Sequence, residues 1–186
     1  LNPRLLFIAT WVVATGLLVG CGGDNKPSAA LSSTFASGAT TSTTTSSAGD
    51  DQAAAKAAYL GYWRVFDSVT NPPNPTDPSI VQVSVDPARA DLVDGVTTLH
   101  ATGQSIREPT TNASSHRVDV VVAGSRADFT DCFVDARVTV DASGNTVNDK
   151  VVTKLLKGYL VLDGGTWKVA QYNEVQRTDG ATQCGA

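Results

Sequence analysis

The chain has 186 residues, of which 41% are hydrophobic and 17% charged, and 14 Lys and Arg stand against 18 Asp and Glu for a net charge of −4. Length alone argues for one folded domain, and the acidic balance withholds the electrostatic footprint of a nucleic-acid binder. Three cysteines are too few for a disulfide-dense miniprotein or a four-ligand zinc ribbon.

Residues 5–19 read LLFIATWVVATGLLV, with twelve apolar residues interrupted only by Thr10, Thr15 and Gly16. As a helix this run reaches roughly 22 Å, short of the roughly 30 Å hydrocarbon core of a bilayer. Arg4 precedes it, small residues follow it, and no basic stop-transfer cluster comes after. That order predicts a secretory signal over residues 1–20 rather than a permanent membrane helix. The junction Leu18-Val19-Gly20-Cys21 resembles the lipobox of bacterial lipoproteins, which implies cleavage before Cys21 and lipid attachment to it. Two or more acyl chains make a stable anchor, so the expected location is the outer face of the cytoplasmic membrane. The chain contains no Met and begins at Leu1, as a start codon other than ATG read at face value, or a truncated chain, would give. Removal of residues 1–20 takes Arg4 and no acid, leaving 13 bases, 18 acids and a charge of −5.

Residues 21–50 are expected to be a flexible linker. Between Ser28 and Gly49, thirteen of 22 residues are Ser or Thr, which cannot bury enough apolar surface to offset the entropy of ordering. A coil of about 29 residues averages roughly 30 Å end to end, enough to lift a domain off a bilayer, and its hydroxyls are acceptors for O-glycosylation.

The folded domain is expected over residues 51–186. Asp50 or Asp51 is placed to cap a helix running to Val69, whose stripe is Ala55, Tyr59, Tyr62, Phe66 and Val69, widened by Trp63. The block Asn71-Pro72-Pro73-Asn74-Pro75-Thr76-Asp77-Pro78 stops it. Residues 79–85 are compatible with a short helix or an extended piece. A second helix follows, with Asp86 as cap, Pro87 at its first position, Ala88, Leu92, Val96 and Leu99 on its apolar face, and Gly103 at its end.

Beyond Gly103 the period becomes two. A strand over 117–123 turns at Gly124-Ser125, a second extended stretch covers 126–140, and Ala142 to Asn145 closes it. Residues 151–162 and 166–175 form a hairpin around Asp163-Gly164-Gly165. Helices first and strands after predict an α+β fold with an antiparallel sheet.

This order of elements resembles the nuclear transport factor 2-like (cystatin-like) superfamily, in particular its lipid-anchored members in high-GC Gram-positive bacteria. The likeness spans residues 51–184. It is carried by Asn71-Pro72-Pro73 after the first helix, Thr130-Asp131-Cys132, Gly165-Thr166-Trp167-Lys168-Val169 and the near-terminal Cys184. It implies a cone or roll whose curved sheet wraps the first helix and often leaves a pocket; the stripe Tyr59, Tyr62, Trp63 and Phe66 reads first as a helix packed on the sheet, and with Leu99 and Tyr159 it supplies the candidates to line such a pocket. If Cys21 carries lipid, Cys132 and Cys184 remain, with one intramolecular connectivity in an oxidising compartment; a catalytic or metal-binding thiol is the competing reading.

Some members of the superfamily are isomerases, dehydratases or cyclases, whose chemistry needs a base in an apolar pocket and a donor for a developing oxyanion. The available bases are Asp119, Asp128, Asp131, Asp135, His100 and His116, and the phenols are Tyr59, Tyr62, Tyr159 and Tyr172. Spacing singles out no pair among them. Asp119 reads as a solvated strand residue, the acids at 128, 131 and 135 as edge-protecting charges, His100 as a helix C-terminal cation, and His116 as a loop residue facing water. Asn112-Ala113-Ser114 formally matches a glycosylation acceptor but reads as a loop. No metal, cofactor or nucleic acid is expected. The leading expectation is a non-enzymatic, lipid-anchored domain that binds a small apolar ligand or an envelope protein. The alternatives are an enzyme of the ketosteroid-isomerase type and a structural accessory of an envelope complex.

Overall fold

The computed structural model describes residues 48–184; the expected signal segment, Cys21 and the linker up to residue 47 lie outside them. The described chain is α+β. Three helices, α1 (Ala48–Val69), α2 (Ser79–Val83) and α3 (Ala88–Thr102), precede seven strands. These are β1 (Ser105–Arg107), β2 (Ser115–Ala123), β3 (Arg126–Asp135), β4 (Val138–Val140), β5 (Thr146–Asn148), β6 (Val152–Asp163) and β7 (Thr166–Asp179). They form two antiparallel sheets, a large one in the order β2-β3-β6-β7 and a small one in the order β1-β4-β5.

The start of α3 departs from expectation. Asp86 makes no cap; its carboxylate pairs with the Arg89 guanidinium, and Pro87 occupies the N-cap position without a side-chain bond. The other end is as expected, with Gly103 at φ 64° taking the left-handed conformation that closes a helix. The stretch expected over 126–140 is two strands, because the chain leaves the large sheet after Asp135 and β4 pairs with β1 instead. Strands β1 and β5 were not expected. Each has three residues, too few to display a burial period.

Register sorts the large sheet into two faces. On the face toward the helices, successive rows are Val122–Ala127–Leu160–Val169, then Val120–Phe129–Gly158–Tyr172, then Val118–Asp131–Leu156–Glu174, then His116–Phe133–Lys154–Arg177, and last Asp135–Val152–Asp179. The face is carbon at one end and charge at the other. Helix α1 lies on the carbon end and touches both outer strands, β2 and β7, burying Ala55, Tyr59, Tyr62, Trp63 and Val69. Helix α3 adds Ala88, Leu92 and Val96. The edge of β7 is covered at one point, where Val85 N–H donates to Val169 O at 3.0 Å. Small-sheet placement depends on Thr70, whose carbonyl accepts from Ile106 N–H at 3.1 Å.

On the opposite face Cys132 and Cys184 are disulfide-bonded across 52 residues, so the tail after β7 is tied to the middle of β3. Loop closure of that length is worth roughly 4 kcal/mol as an upper figure.

One position permits no side chain. A Cβ on Gly158 would stand 2.1 Å from Gln171 O and 2.8 Å from Phe129 Cζ; the aromatic ring of β3 occupies that space. Gly158→Ala is expected to lower unfolding free energy by about 2–3 kcal/mol, read from the urea midpoint, whereas Gly61→Ala, with its nearest neighbour at 3.5 Å, is expected to be neutral or stabilising.

Candidate functional site

Three places on the helix-facing side of the sheet carry chemistry. The first is a buried polar cluster under α1. Tyr59 Oη donates to Asp131 Oδ2 at 2.8 Å, and His116 Nδ1 lies 2.6 Å from the same oxygen. Asp131 shares strand parity with Ala127, Phe129 and Phe133, and that parity points inward. The reading of Asp131 as an edge charge is therefore corrected: β3 is a central strand, and both Asp131 and Tyr59 are 0% exposed. The reading of His116 as a loop residue is corrected too. It belongs to β2, its ring stacks on Phe133 at 4.1 Å and 6°, and its side chain is 15% exposed. Burial, reinforced by the Asp131 charge, pushes the Tyr59 phenol far above its ordinary range. Asp131 Oδ1 and the indole N–H of Trp63 are buried without hydrogen-bond partners.

In composition this trio is what proton-transfer chemistry requires, a carboxylate beside a phenol and an imidazole. In access it is not. Asp131 and Tyr59 are fully buried, with the rings of Trp63, His116 and Phe129 packed around Tyr59, and only the His116 side chain keeps partial exposure.

The second place is the charged end of the same face. Arg137, on the link between β3 and β4, is 9% exposed. Its guanidinium forks onto Asp135 at 2.8 and 3.0 Å and reaches Asp67 on α1 at 3.4 Å. Its planar carbon lies 4.3 Å from the Phe66 ring centre and 4.9 Å from those of Trp63 and Phe133. Paired charge and aromatic faces together offset the cost of burying the cation. Lys154 Nζ adds a bond to Asp135 at 2.7 Å. Burial works against ionisation of Asp135, but the bonds from Arg137 and Lys154 prevail and hold its pKa at about 2. At Asp67 burial prevails over Arg137, and the carboxyl is raised. Beside this centre is a cavity of about 420 Å³ between the two sheets, bordered by Arg137, Lys150, Lys154 and Arg177.

The third place is a mostly apolar cleft of about 320 Å³ between α1, α3 and β7, lined by Phe66, Leu92, Val96, Leu99, Ile106 and Tyr172. Burial raises the Tyr172 phenol, which accepts from Tyr62 Oη at 3.4 Å.

The candidates for pocket lining thus separate. Phe66 and Leu99 line the cleft. Tyr59, Tyr62 and Trp63 fill the core, at 0%, 0% and 6% exposure. Tyr159 pairs in register with Asp128 on the opposite face, where its ring lies under the Arg126 guanidinium at 3.7 Å. Asp119 is exposed as expected, Asp128 is exposed and paired with Arg126, and His100 is exposed with Nδ1 3.3 Å from Pro73 O. Missed by the sequence reading were Arg137, Lys154 and Arg177. The available signal was register: Lys154 and Arg177 are opposed on neighbouring strands, but only pairing reveals it. Among the described residues no group of three or more His, Cys, Asp or Glu could hold a metal, and no helix is long and apolar enough to cross a membrane.

No protein-family model matches the sequence, and no curated protein matches it. Among solved structures the chain is similar to the intermembrane-space region of the chloroplast protein ARC6, with TM-score 0.54 and 14% identity over 67% of this chain and 95% of that one. At this identity the likeness shows a shared fold and nothing more. A de novo designed β-sheet protein aligns over 74% of this chain and 97% of its own, with 18% identity and TM-score 0.34, too low to carry an argument.

Two substitutions probe the polar centres. Tyr59→Phe removes one of two contacts to a buried carboxylate oxygen and is expected to cost about 2 kcal/mol in denaturant unfolding. Asp135 has a folded pKa of about 2 against an ordinary 3.8, so its contribution is complete above the ordinary value and fades as pH falls through the folded one. Asp135→Asn is expected to lower stability at pH 7 by about 2 kcal/mol and to flatten the decline of stability between roughly pH 4 and 2.

Proposed function

We propose that this chain is a lipid-anchored, extracytoplasmic domain that binds a small, largely apolar ligand and does no chemistry on it. The observation that carries the binding reading is the cleft formed by Phe66, Leu99 and Tyr172. It is concave, lined mainly by carbon, and has a few polar groups at its rim, including Asp91 and Thr98, as small-molecule sites commonly do. Anchoring is supported by the lipobox-like Leu18-Val19-Gly20-Cys21 after the apolar run. The Cys132–Cys184 disulfide accords with an oxidising compartment and leaves Cys21 as the third cysteine, available for acylation. A cone of the nuclear transport factor 2-like kind is supported by the placement of α1 against both outer strands of the large sheet.

The isomerase-type alternative has one observation in its favour, the Tyr59–Asp131–His116 cluster. Against it stands the complete burial of Tyr59 and Asp131, which leaves His116, with a side chain 15% exposed, as the one member of the cluster that meets the surface. The accessory-protein alternative has less support: among the described residues the exposed large apolar side chains Val81, Val121, Val147, Leu162 and Val175 come one from each of five elements.

Two measurements test the reading. Cys21→Ala is expected to move the protein from the membrane fraction to the soluble extracytoplasmic fraction, and the wild-type intact mass to show loss of residues 1–20 with added acyl chains; an unmodified Cys21 would refute the anchor. Calorimetric titration with decanol is expected to show saturable binding that Leu99→Asp abolishes and Tyr159→Ala leaves unchanged.

A further inference from the structure

The apolar cleft and the charged cavity share a wall. Phe66 and Ile106 line both, so the two voids adjoin at these side chains, with Lys150, Lys154 and Arg177 on the far side of them. Four of the chain's 14 Lys and Arg border that one cavity, against the two carboxylates of Asp135 and Asp179, in a protein of net charge −4. Asp67 and Glu174 add two more carboxylates through their pairs with Arg137 and Arg177, so the attraction for an anion comes from the donors that these cations leave unused.

These cations have donors to spare. Asp135 is shared between Arg137 and Lys154, so one carboxylate faces two positive groups. An ammonium has three N–H donors, and Lys154 Nζ uses one on Asp135. Arg177 gives Nε and one terminal nitrogen to Glu174, which leaves its other terminal nitrogen uncommitted. Lys150 has no side-chain hydrogen bond or ion pair among the described residues. Arg137 is different: its fork is occupied by Asp135 and Asp67, and it serves as the fixed floor of the cavity.

We propose that cleft and cavity together form one site for an amphiphilic anion. A single aliphatic tail would lie in the Phe66–Leu99–Tyr172 cleft, and a carboxylate or phosphate head would sit between Lys150, Lys154 and Arg177. This rests on the apolar-cleft reading and adds to it the class of ligand. The head gains charge-assisted hydrogen bonds, from Lys154, which is partly withdrawn from water, and from the exposed Lys150 and Arg177, and the tail exchanges water for Leu92, Leu99 and the two shared side chains. Neither half binds strongly alone, because a small anion lacks apolar area and an alcohol lacks the charge.

The test uses the full chain and three probes in calorimetric titration: decanoate, decanol and acetate. Decanoate is expected to bind at least roughly tenfold tighter than decanol, and acetate to give no saturable signal. The double variant K154Q/R177Q is expected to bring decanoate affinity down to that of decanol and leave decanol unchanged. Lys154 also supports Asp135, so R177Q and K150Q, at more exposed positions, serve as separate variants, each expected to give part of the loss with an unaltered unfolding midpoint. Equal affinities for decanoate and decanol, insensitive to these variants, would overturn the amphiphile and leave the apolar ligand standing. Acetate binding as tight as decanoate would overturn it in favour of a simple anion site. Binding of none of the three would remove both readings.

Discussion

The hydrogen bond from Tyr59 to Asp131 links the first helix to the centre of the sheet, and the rest of the helix-facing side is arranged around it. A carboxylate wholly withdrawn from water must be paired, or its burial costs several kcal/mol. Asp131 meets this with a phenol from α1 and an imidazole from β2 on one oxygen. Tyr59 and His116 are 57 residues apart in sequence, so pairing both with Oδ2 brings α1, β2 and β3 into one relative position. The ring of Phe129 packs 4.2 Å from Tyr59 and that of Phe133 4.1 Å from His116, so the inward neighbours of Asp131 on β3 hold the same two partners.

Two rows along the sheet, at Asp135, the problem is repeated with a cation. Arg137 is held between the rings of Phe66, Trp63 and Phe133 and forked onto Asp135. The inward face therefore changes character along its length, from a carbon core to ionised groups at the mouth. Helix α1 spans the transition, placing Tyr59 in the core and Phe66 at the border. That gradient packs the helices at one end and leaves a cavity bordered by charged side chains at the other.

Much of the architecture was legible in the chain. The helical stripe on α1 and the period-two run Val118, Val120 and Val122 depend on local periodicity, and the turns at Gly124-Ser125 and Gly164-Gly165 on local backbone preferences. So does Gly103, whose positive φ closes α3. Asp86 shows the limit of such local signals: a cap-forming residue ahead of a proline paired with Arg89 instead, because its carboxylate had a nearby cation to choose. The short strands β1 and β5 acquire meaning only from β4 between them.

The functional side chains divide along the same line. Sequence by itself determined the segments, the apolar faces of the helices, the lipobox-like junction and the α+β class, all of which follow from near neighbours in the chain. Only the tertiary structure decided that Asp131 and His116 belong to the core rather than to water, that Tyr59 is filled in while Phe66 borders a cleft, and that Lys154, Arg177 and Arg137 converge. The physical reason is that burial, pairing and electrostatic environment depend on strand register and on which elements cover a face, and a pattern of residues along one strand carries neither.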